Sequence, residues 1–326
     1  MRDAGAPTFR EEIATCCRTV LLSLVAISTL LTFIPPPLKA ENQHSGFLYG
    51  GIHRTYILHV PRTGLKDLRL PLIIVLHGGG GTGKGMLSLT FSEFDSLADR
   101  DTAVVVYPDG VNRSWRDGRA NKEDLEVDDV GFIAALIDSL ERTLNVDPRR
   151  VYVTGISNGA MMTYRLACDM SERFAAVAPV DGAIPEEIAE GCSPEAPLSL
   201  LAINNTEDPL VHWEGGDVTG PFGMRKLGKV LSVKQSVETW VARNGCSTTP
   251  VVSEEPDRDP DDRTRIQKEM YGGGKEGTEV ILYAVKGGGH TWPGGLQYAP
   301  ASIIGRTSKD MNACQVIWDF FKTHTR

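Results

Sequence analysis

Hydrophobic positions alternate between two kinds of segment from about Gly46 to the end of the chain. Segments with apolar residues at helical spacing separate short continuous aliphatic runs, which are typical of strands buried on both faces. The predicted strands are Thr55–Val60, Leu72–His77, Ala103–Tyr107, Val151–Thr154, Ala175–Val180, Leu198–Ile203 and Val280–Val285. This alternation predicts an α/β fold, with helices on both faces of a mostly parallel sheet.

Three apolar stripes predict helices between and after these strands. The clearest, Phe132–Leu144, follows Asp128-Asp129, which supply a capping side chain and favourable charge at a helix N-terminus. The others are Leu227–Val241 and Val316–Phe321. Ser253–Arg265 is charge-rich and broken by proline, and it lacks the glycine that a calcium loop needs, so we expect a solvated loop.

The N-terminus predicts an export signal. The apolar stretch Val20–Ile34 follows two arginines and precedes three prolines, and it has the length of a signal-peptide core rather than of a bilayer span. We expect residues 1–40 to be a signal peptide cleaved after Ala40, with an uncleaved membrane anchor as the alternative. Residues 41–326 are then expected to form a single catalytic domain, secreted or periplasmic.

Composition and cysteine content narrow the class further. The chain has 326 residues, 41% of them hydrophobic, and a net charge of −8, so no basic stripe suggests a nucleic-acid partner. In an oxidising compartment the four cysteines after the leader allow three disulfide pairings. We favour Cys168 with Cys192 and Cys246 with Cys314, because each pair would join neighbouring segments; four buried thiols are the alternative.

The strongest chemical signal is Gly155-Ile156-Ser157-Asn158-Gly159, directly after a predicted buried strand. A strand that ends in Gly-x-Ser-x-Gly and leads into a helix is a nucleophile elbow, which presents the serine above the sheet edge. The turn is so tight that the flanking positions must be small. Ser157 is therefore the predicted nucleophile of a hydrolase.

The residues that would activate this serine follow in the order acid, then histidine. Asp208 lies at the carboxyl end of a predicted strand and precedes a proline, which favours it over its neighbour Glu207 as the acid. His290 follows the last strand and three glycines, so its loop can reach over the sheet to Ser157. We predict a Ser157–His290–Asp208 triad.

A tetrahedral intermediate also needs N–H donors for its oxyanion. The backbone N–H of Asn158 is one candidate, since it follows the nucleophile. The glycine run after the second predicted strand supplies the other, and we choose Gly79 with Gly80 as the alternative. Glycines there let the backbone approach a substrate oxygen closely.

The same glycine run permits a nucleotide-binding interpretation. Gly78–Lys84 matches most of a phosphate-binding loop, and its glycines at positions 78, 80 and 83 fit a dinucleotide fingerprint. Gly85, however, stands where a phosphate loop needs Ser or Thr for magnesium. Two aromatic residues near the motifs, Trp115 and Trp292, are predicted to line the substrate pocket, with packing within the loops as the alternative.

Together, several motifs resemble the exported polyhydroxybutyrate depolymerase and feruloyl esterase family. They are Leu76–Gly80, Tyr107–Gly110, Asp128–Phe132, Gly155–Gly159 and Gly289–Gly294, of which Gly-His-Thr-Trp-Pro-Gly is the most specific. The resemblance covers nearly all the chain after the leader. It implies an α/β-hydrolase fold, the same triad, no cofactor and no metal, and hydrolysis of carboxylic esters.

The resemblance implies a reaction class more firmly than a substrate. Expected substrates are feruloyl or acetyl esters of plant polysaccharide, or short hydroxyalkanoate esters; a peptidase of the same fold is the alternative. The complete triad argues against a non-catalytic binding protein. Family members often carry a cysteine near Tyr271–Gly277 that can pair with one like Cys246, and this chain has none there.

Overall fold

Ten strands form one twisted sheet in the computed structural model, which describes residues 42–61, 68–119, 127–220 and 225–326. The described residues hold twelve strands, of which β8 and β9 lie outside this sheet. They are β1 Gln43–Tyr49, β2 Ile52–His59, β3 Leu70–Leu76, β4 Val104–Pro108, β5 Val146–Ile156, β6 Ala176–Val180, β7 Ser199–Asn205, β8 Gly216–Thr219, β9 Lys226–Val230, β10 Val251–Glu254, β11 Arg265–Tyr271 and β12 Val280–Lys286. The sheet order is β1-β2-β4-β3-β5-β6-β7-β12-β11-β10, and β8 and β9 form a separate hairpin.

Eight helices accompany the strands in the described part of the chain. They are α1 Gly83–Leu89, α2 Glu93–Asp101, α3 Asp129–Leu144, α4 Asn158–Asp169, α5 Glu186–Ala189, α6 Val233–Asn244, α7 Ala301–Ile304 and α8 Ala313–Lys322. Searched over these same residues, none of the helices is long and apolar enough to cross a membrane. The predicted leader, residues 1–40, lies outside the described residues.

The centre of the sheet is parallel, from β4 and β3 through β5, β6 and β7 to β12. Antiparallel strands complete both edges: β1 and β2 on one side, β11 and β10 on the other. All seven aliphatic runs lie in strands, which confirms the predicted mostly parallel sheet. The sequence pattern missed β1, β8, β9, β10 and β11, because edge and hairpin strands keep part of their surface in water.

Two hydrophobic layers enclose the sheet. Alternate residues of β3 point to opposite faces, as the two-residue repeat of a strand requires, and pack with α3, α4 and α6 on one side and with α1, α2 and α8 on the other. Helices therefore cover both faces, as predicted. The strands that lead to Ser157, Asp208 and His290 are mostly buried between these layers.

Two of the three predicted helical stripes are confirmed, and the other is confirmed only in its second half. α3 begins after Asp128, whose side chain accepts a hydrogen bond from Gly131 N at 2.8 Å, as the capping argument expects. α8 covers the third stripe. The second stripe was wrong in its first half: Leu227 lies in β9, and the helix starts only after Ser232, which forms a capping box.

Most of the segment Ser253–Arg265 is the exposed loop that we expected. Its first two residues complete β10 and Arg265 begins β11. Between them, the buried Asp262 carboxylate accepts hydrogen bonds from the backbone N–H of Thr264 at 2.7 Å and of Lys309 at 2.6 Å. Asp262 thus holds this segment against the C-terminal part of the chain through Lys309.

One of the two predicted disulfides is present. Cys168, near the end of α4, is bonded to Cys192, with 4.9 Å between their Cα atoms. The pairing of Cys246 with Cys314 was wrong, because the two thiols are buried in hydrophobic layers on opposite faces of the sheet. A Cβ atom at Gly274 would lie 2.8 Å from Cys246 Sγ, so the partner position is occupied by glycine.

Removing the Cys168–Cys192 disulfide should destabilise the fold. With 24 residues of separation, we expect the Cys168→Ser/Cys192→Ser variant to lose about 3 kcal/mol in the free energy of unfolding, measured in urea on protein lacking residues before Glu41. As a control, thiol titration of the unfolded, unreduced protein should find only Cys246 and Cys314. Four reactive thiols would contradict the assignment.

Candidate active site

Ser157 stands at a strained turn between β5 and α4. Its backbone has φ 59° and ψ −120°, which is unfavourable for a residue with a side chain, and its N–H donates to Val180 O at 2.9 Å. A Cβ at Gly155 would lie 2.8 Å from the backbone of Gly159, and one at Gly159 would lie 2.7 Å from His77 O. The two glycines therefore permit the close approach that defines a nucleophile elbow.

His290 and Asp208 form a buried hydrogen-bonded pair. His290 Nδ1 lies 2.6 Å from Asp208 Oδ2, and each residue is only 4% exposed. The other carboxylate oxygen, Asp208 Oδ1, accepts hydrogen bonds from the backbone N–H of Leu210 at 2.7 Å and of Val211 at 2.9 Å. These bonds fix the carboxylate so that it holds the imidazole with Nε2 available for another partner.

The structure separates the two candidate acids. Glu207 is exposed and lies in the turn after β7, whereas the carboxylate of Asp208 is buried against His290. Both Ser157 and His290 line one cavity of about 1170 Å³, with Asp208 behind the histidine. The three residues that the sequence proposed as a triad thus lie at one site.

The environment of His290 favours its charged form. Burial lowers the pKa of His290, but the charge of Asp208 and the hydrogen bond to it raise the pKa, and the net shift is upward. An imidazole that takes a proton here is therefore stabilised by the neighbouring carboxylate. This is the property that a general base needs when it deprotonates a serine.

Gly79 and Asn158 both line the cavity next to Ser157. The N–H of Gly80 donates to Arg113 O at 2.7 Å and that of Gly81 to Gly78 O at 2.9 Å, so these two donors are already used. Asn158 is the first residue of α4, where backbone N–H groups have no partner within the helix. The geometry favours Gly79 over Gly80 as the second donor for an oxyanion.

A buried polar network behind this donor pair was missed from the sequence. The side chain of Asn158 donates to Asp117 Oδ2 at 2.6 Å and to Trp115 O at 2.9 Å, and it accepts from Trp115 N at 2.8 Å. Asp117 in turn pairs with Arg119 at 2.6 Å. Only their position after the strand end at Tyr107–Gly110 hinted that these residues lie near the site.

His77 supports the glycine loop from below. Gly110 N donates to His77 Nε2 at 2.9 Å, so the ring proton is on Nδ1, which lies 2.8 Å from Gly78 O. Burial lowers the pKa of His77, so the ring stays neutral and keeps this pattern. His77 therefore holds the loop that carries Gly79 in place through its two ring nitrogens.

Neither tryptophan lies on the described cavity wall. Trp115 is fully buried, its ring 4.9 Å from that of His77, and its Nε1–H donates to His77 O at 2.8 Å. Trp292 is 1% exposed and packs edge-on against Phe94. The packing alternative therefore describes Trp115 and Trp292 better than the pocket role.

The glycine run is built differently from a phosphate-binding loop. The carboxylate of Asp109 accepts a hydrogen bond from Gly83 N at 2.8 Å, which places a negative charge at the start of α1. Thr82 caps the same helix by accepting from Gly85 N at 3.0 Å. A phosphate would meet this acidic group, and the loop instead lies over Ser157.

A second buried acid, Asp181, accompanies the pair and was not identified from the sequence. Side-chain ligand atoms of Asp181, Asp208 and His290 all lie within 4.8 Å of one another. They do not form a ready metal site, because His290 Nδ1 and Asp208 Oδ2 are 2.6 Å apart, whereas two ligands of one zinc ion stand roughly 3.3 Å apart at zinc–ligand distances of about 2.0 Å. His290 and Asp208 are hydrogen-bonded to each other, and Asp181 beside them accepts hydrogen bonds from Asn205 and Thr291.

The raised pKa of His290 predicts how the reactivity of Ser157 depends on pH. Since the base must be neutral, labelling of Ser157 by a fluorophosphonate should fall as pH drops through a midpoint above 6.5. Asp208→Asn should move the midpoint downward and slow labelling by about 10⁴-fold. The exposed neighbour gives a matched control: Glu207→Gln should behave as wild type, and equal effects of the two changes would refute the assignment.

Comparison with known proteins agrees with this chemistry. Residues 88–185 match the prolyl oligopeptidase family. The chain is 33% identical over 280 residues to the putative esterase NocK of Nocardia uniformis subsp. tsuyamanensis, covering 83% of this chain and 79% of that protein. It is 28% identical over 243 residues to feruloyl esterase B of Piromyces equi, covering 73% of this chain and 42% of that protein.

Solved structures show the same fold at lower identity. The acetyl xylan esterase from Aspergillus awamori superposes with a TM-score of 0.54 at 16% identity, over 76% of this chain and 94% of that one. A thermostable esterase gives 0.53 at 17% identity, over 87% and 63%. The similarity to NocK, together with the nucleophile elbow, shows that the chain belongs to the serine esterases of the α/β-hydrolase fold, a family of carboxylic ester hydrolases.

Proposed function

We propose that this protein is an exported serine esterase whose catalytic triad is Ser157, His290 and Asp208. The observation that carries the proposal is the buried 2.6 Å contact between His290 Nδ1 and Asp208 Oδ2. His290 lines the same cavity as Ser157, which lies at the strained nucleophile elbow. The reaction is hydrolysis of a carboxylic ester through an acyl-enzyme. It needs no cofactor, since every proton transfer is served by the chain's own residues.

The mechanism has two halves. His290 takes the proton of Ser157 Oγ as that oxygen attacks the ester carbonyl carbon, and Asp208 stabilises the imidazolium. The N–H groups of Asn158 and Gly79 hold the oxyanion, and the alcohol leaves with the proton from His290. Water, deprotonated by the same histidine, then attacks the acyl group and releases the acid and Ser157.

The substrates that we propose are feruloyl or acetyl esters of plant polysaccharide, or short hydroxyalkanoate esters. The names of the feruloyl esterase relatives and of the acetyl xylan esterase neighbour support the first group. The cavity, at about 1170 Å³, is large enough for an oligomer rather than only a small ester.

The charge of the cavity favours a substrate that bears a carboxylate. All the charged side chains among its described lining residues, histidine aside, are cationic although the whole chain is acidic: Arg113, Arg116, Arg119, Arg225 and Lys226. Asp117 and Asp217 partly offset Arg119 and Lys226, and Arg116 and Arg225 also have interaction partners, so the exposed Arg113 carries the argument. Arginine suits carboxylate recognition, so we propose hydroxyalkanoate oligomers with a free acid end as the preferred class.

Export is supported by the disulfide between Cys168 and Cys192, since such bonds persist in oxidising compartments. The proposed location is the periplasm or the cell exterior, with membrane attachment only if the leader stays uncleaved. A peptidase activity is the second candidate, because residues 88–185, which contain Ser157, match the prolyl oligopeptidase family.

A hydrolysis panel tests the reaction and the nucleophile together. Protein lacking residues before Glu41 should cleave esters from a set of p-nitrophenyl esters, methyl ferulate, acetylated xylan and a 3-hydroxybutyrate oligomer. Ser157→Ala should lose this activity by about 10⁶-fold, to the background left by binding alone. Cleavage of chromogenic peptides but of no ester would favour the peptidase, and ester cleavage that survives the substitution would refute the triad.

A matched pair of substrates tests the charge preference. A 3-hydroxybutyrate trimer with a free carboxylate should have a higher kcat/KM than the same trimer capped as an N-methyl amide. Arg113→Gln should lower the ratio of the two values roughly threefold to fivefold, as expected for one exposed charge contact. Lys234→Gln, an exposed change on α6, should leave the ratio unchanged. Equal kcat/KM values for the two trimers would refute the preference.

A further inference from the structure

Asp181 occupies the point where the loops of the proposed triad meet. It follows β6 directly, has a left-handed backbone with φ 47°, and is 1% exposed. Its N–H donates to Ile203 O in β7 at 2.9 Å, and the preceding Val180 O accepts from Ser157 N at 2.9 Å. The backbone on either side of its side chain is thus tied to the nucleophile turn and to the strand that leads to Asp208.

The Asp181 carboxylate joins two loops by hydrogen bonds. Asn205, the last residue of β7, donates from its backbone N to Oδ1 at 2.9 Å and from Nδ2 to Oδ2 at 2.7 Å. Thr291 donates from its backbone N to Oδ2 at 2.9 Å. Asn205 Nδ2 also donates to Thr291 O at 3.1 Å, which closes a ring between the β7 end and the histidine loop.

The two bonded residues stand next to the proposed catalytic groups. Thr291 follows His290 directly, and Asn205 lies three positions before Asp208. The side chain of Asp181 itself lies within 4.8 Å of both groups and is not among the described residues that line the cavity. The hydrogen bonds of its carboxylate therefore connect the segments that carry the acid and the base, and Asp181 itself does not line the cavity.

This carboxylate is held where burial disfavours its charge. Burial and the charge of Asp208 raise the pKa of Asp181, while His290 and the hydrogen bonds from Asn205 lower it, and the net shift is upward. A buried acid that served only to fill space would be replaced at less cost by an apolar or amide side chain. Its three N–H donors explain why a carboxylate, which only accepts, fits this place.

We propose that Asp181 is a positioning residue that holds Asp208 and His290 in the register needed for proton transfer. The proposal rests on the proposed triad. It assigns Asp181 no contact with substrate. Its effect passes through the N–H of Thr291 and through Asn205 to the two groups that handle the proton.

Asp181→Asn tests the proposal. The amide keeps the shape but turns one acceptor into a donor that faces N–H groups, so the two loops should shift. We expect kcat for ester hydrolysis to fall about 10²-fold with little change in KM, because small misplacement of reacting groups has that size of effect. The pH midpoint of kcat/KM should also move to lower pH, since the charge of Asp181 raises the pKa of His290 and the amide removes that charge.

Two further variants separate positioning from loss of stability. Asn205→Ala removes only the side-chain bonds to Asp181 and Thr291 and should lower kcat in the same direction by a smaller factor. Asn244→Ala is the matched control: this buried asparagine bonds the backbone of Leu198, beside the opposite end of β7. It should lower the melting temperature and leave kcat unchanged.

A double variant measures whether Asp181 acts through the triad. If it does, Asp181→Asn combined with Asp208→Asn should lose less activity than the product of the two single losses. Multiplicative losses, a rise in KM with kcat intact, or a wild-type kcat in Asp181→Asn would overturn the proposal. Ester hydrolysis that persists in Ser157→Ala would instead refute the proposed function, so the two failures are distinct.

Discussion

The whole site depends on one close approach, in which the backbone of the turn at Ser157 packs directly against Leu76 and His77 at the end of β3. Gly155 and Gly159 lack side chains at the two places where a Cβ would meet neighbouring backbone, and the serine accepts an unfavourable φ between them. This strain persists because parallel strands packed on both faces leave the backbone no freedom to relax. The serine is held above the sheet edge, and each other functional group is arranged relative to that fixed point.

Hydrogen-bonded buried polar groups, rather than the catalytic residues alone, set the geometry around that point. Asn158 is anchored through Asp117 and Trp115, and His77 fixes the glycine loop. On the other side of the serine, Asp181 connects the strand end before Asp208 with the loop of His290. An unmatched polar group inside a protein is costly, so such networks have one satisfied arrangement and resist partial displacement. These networks support both the proposed oxyanion donors and the proposed base from the side away from the cavity.

The family assignment and the geometry of the site agree on the reaction class. The proposal for the substrate rests on the residues that line the cavity. Esterase relatives establish carboxylic ester hydrolysis, and the fold alone is shared with the solved structures. Cationic side chains line the cavity of this acidic protein, and they are the basis of the proposed preference for a substrate that bears a carboxylate. In that proposal the wall charges act on the part of the substrate that does not react, so they would affect substrate selection rather than the chemical step.

The sequence by itself determined the central strands, the elbow and the order of Ser157, Asp208 and His290, because continuous aliphatic runs and the Gly-x-Ser-x-Gly turn are local patterns with one physical cause each. It could not place the edge strands, whose half-exposed pattern is weak, or assign Cys246, whose neighbours come from distant segments. It also gave Trp115 a pocket role, where the structure gives it a place in the core. Asp181 was not identified from the sequence, because its hydrogen-bond partners Asn205 and Thr291 lie far from it along the chain. Only the tertiary structure decided these points, because burial, the face of the sheet and hydrogen-bond partners depend on contacts between residues far apart in the chain.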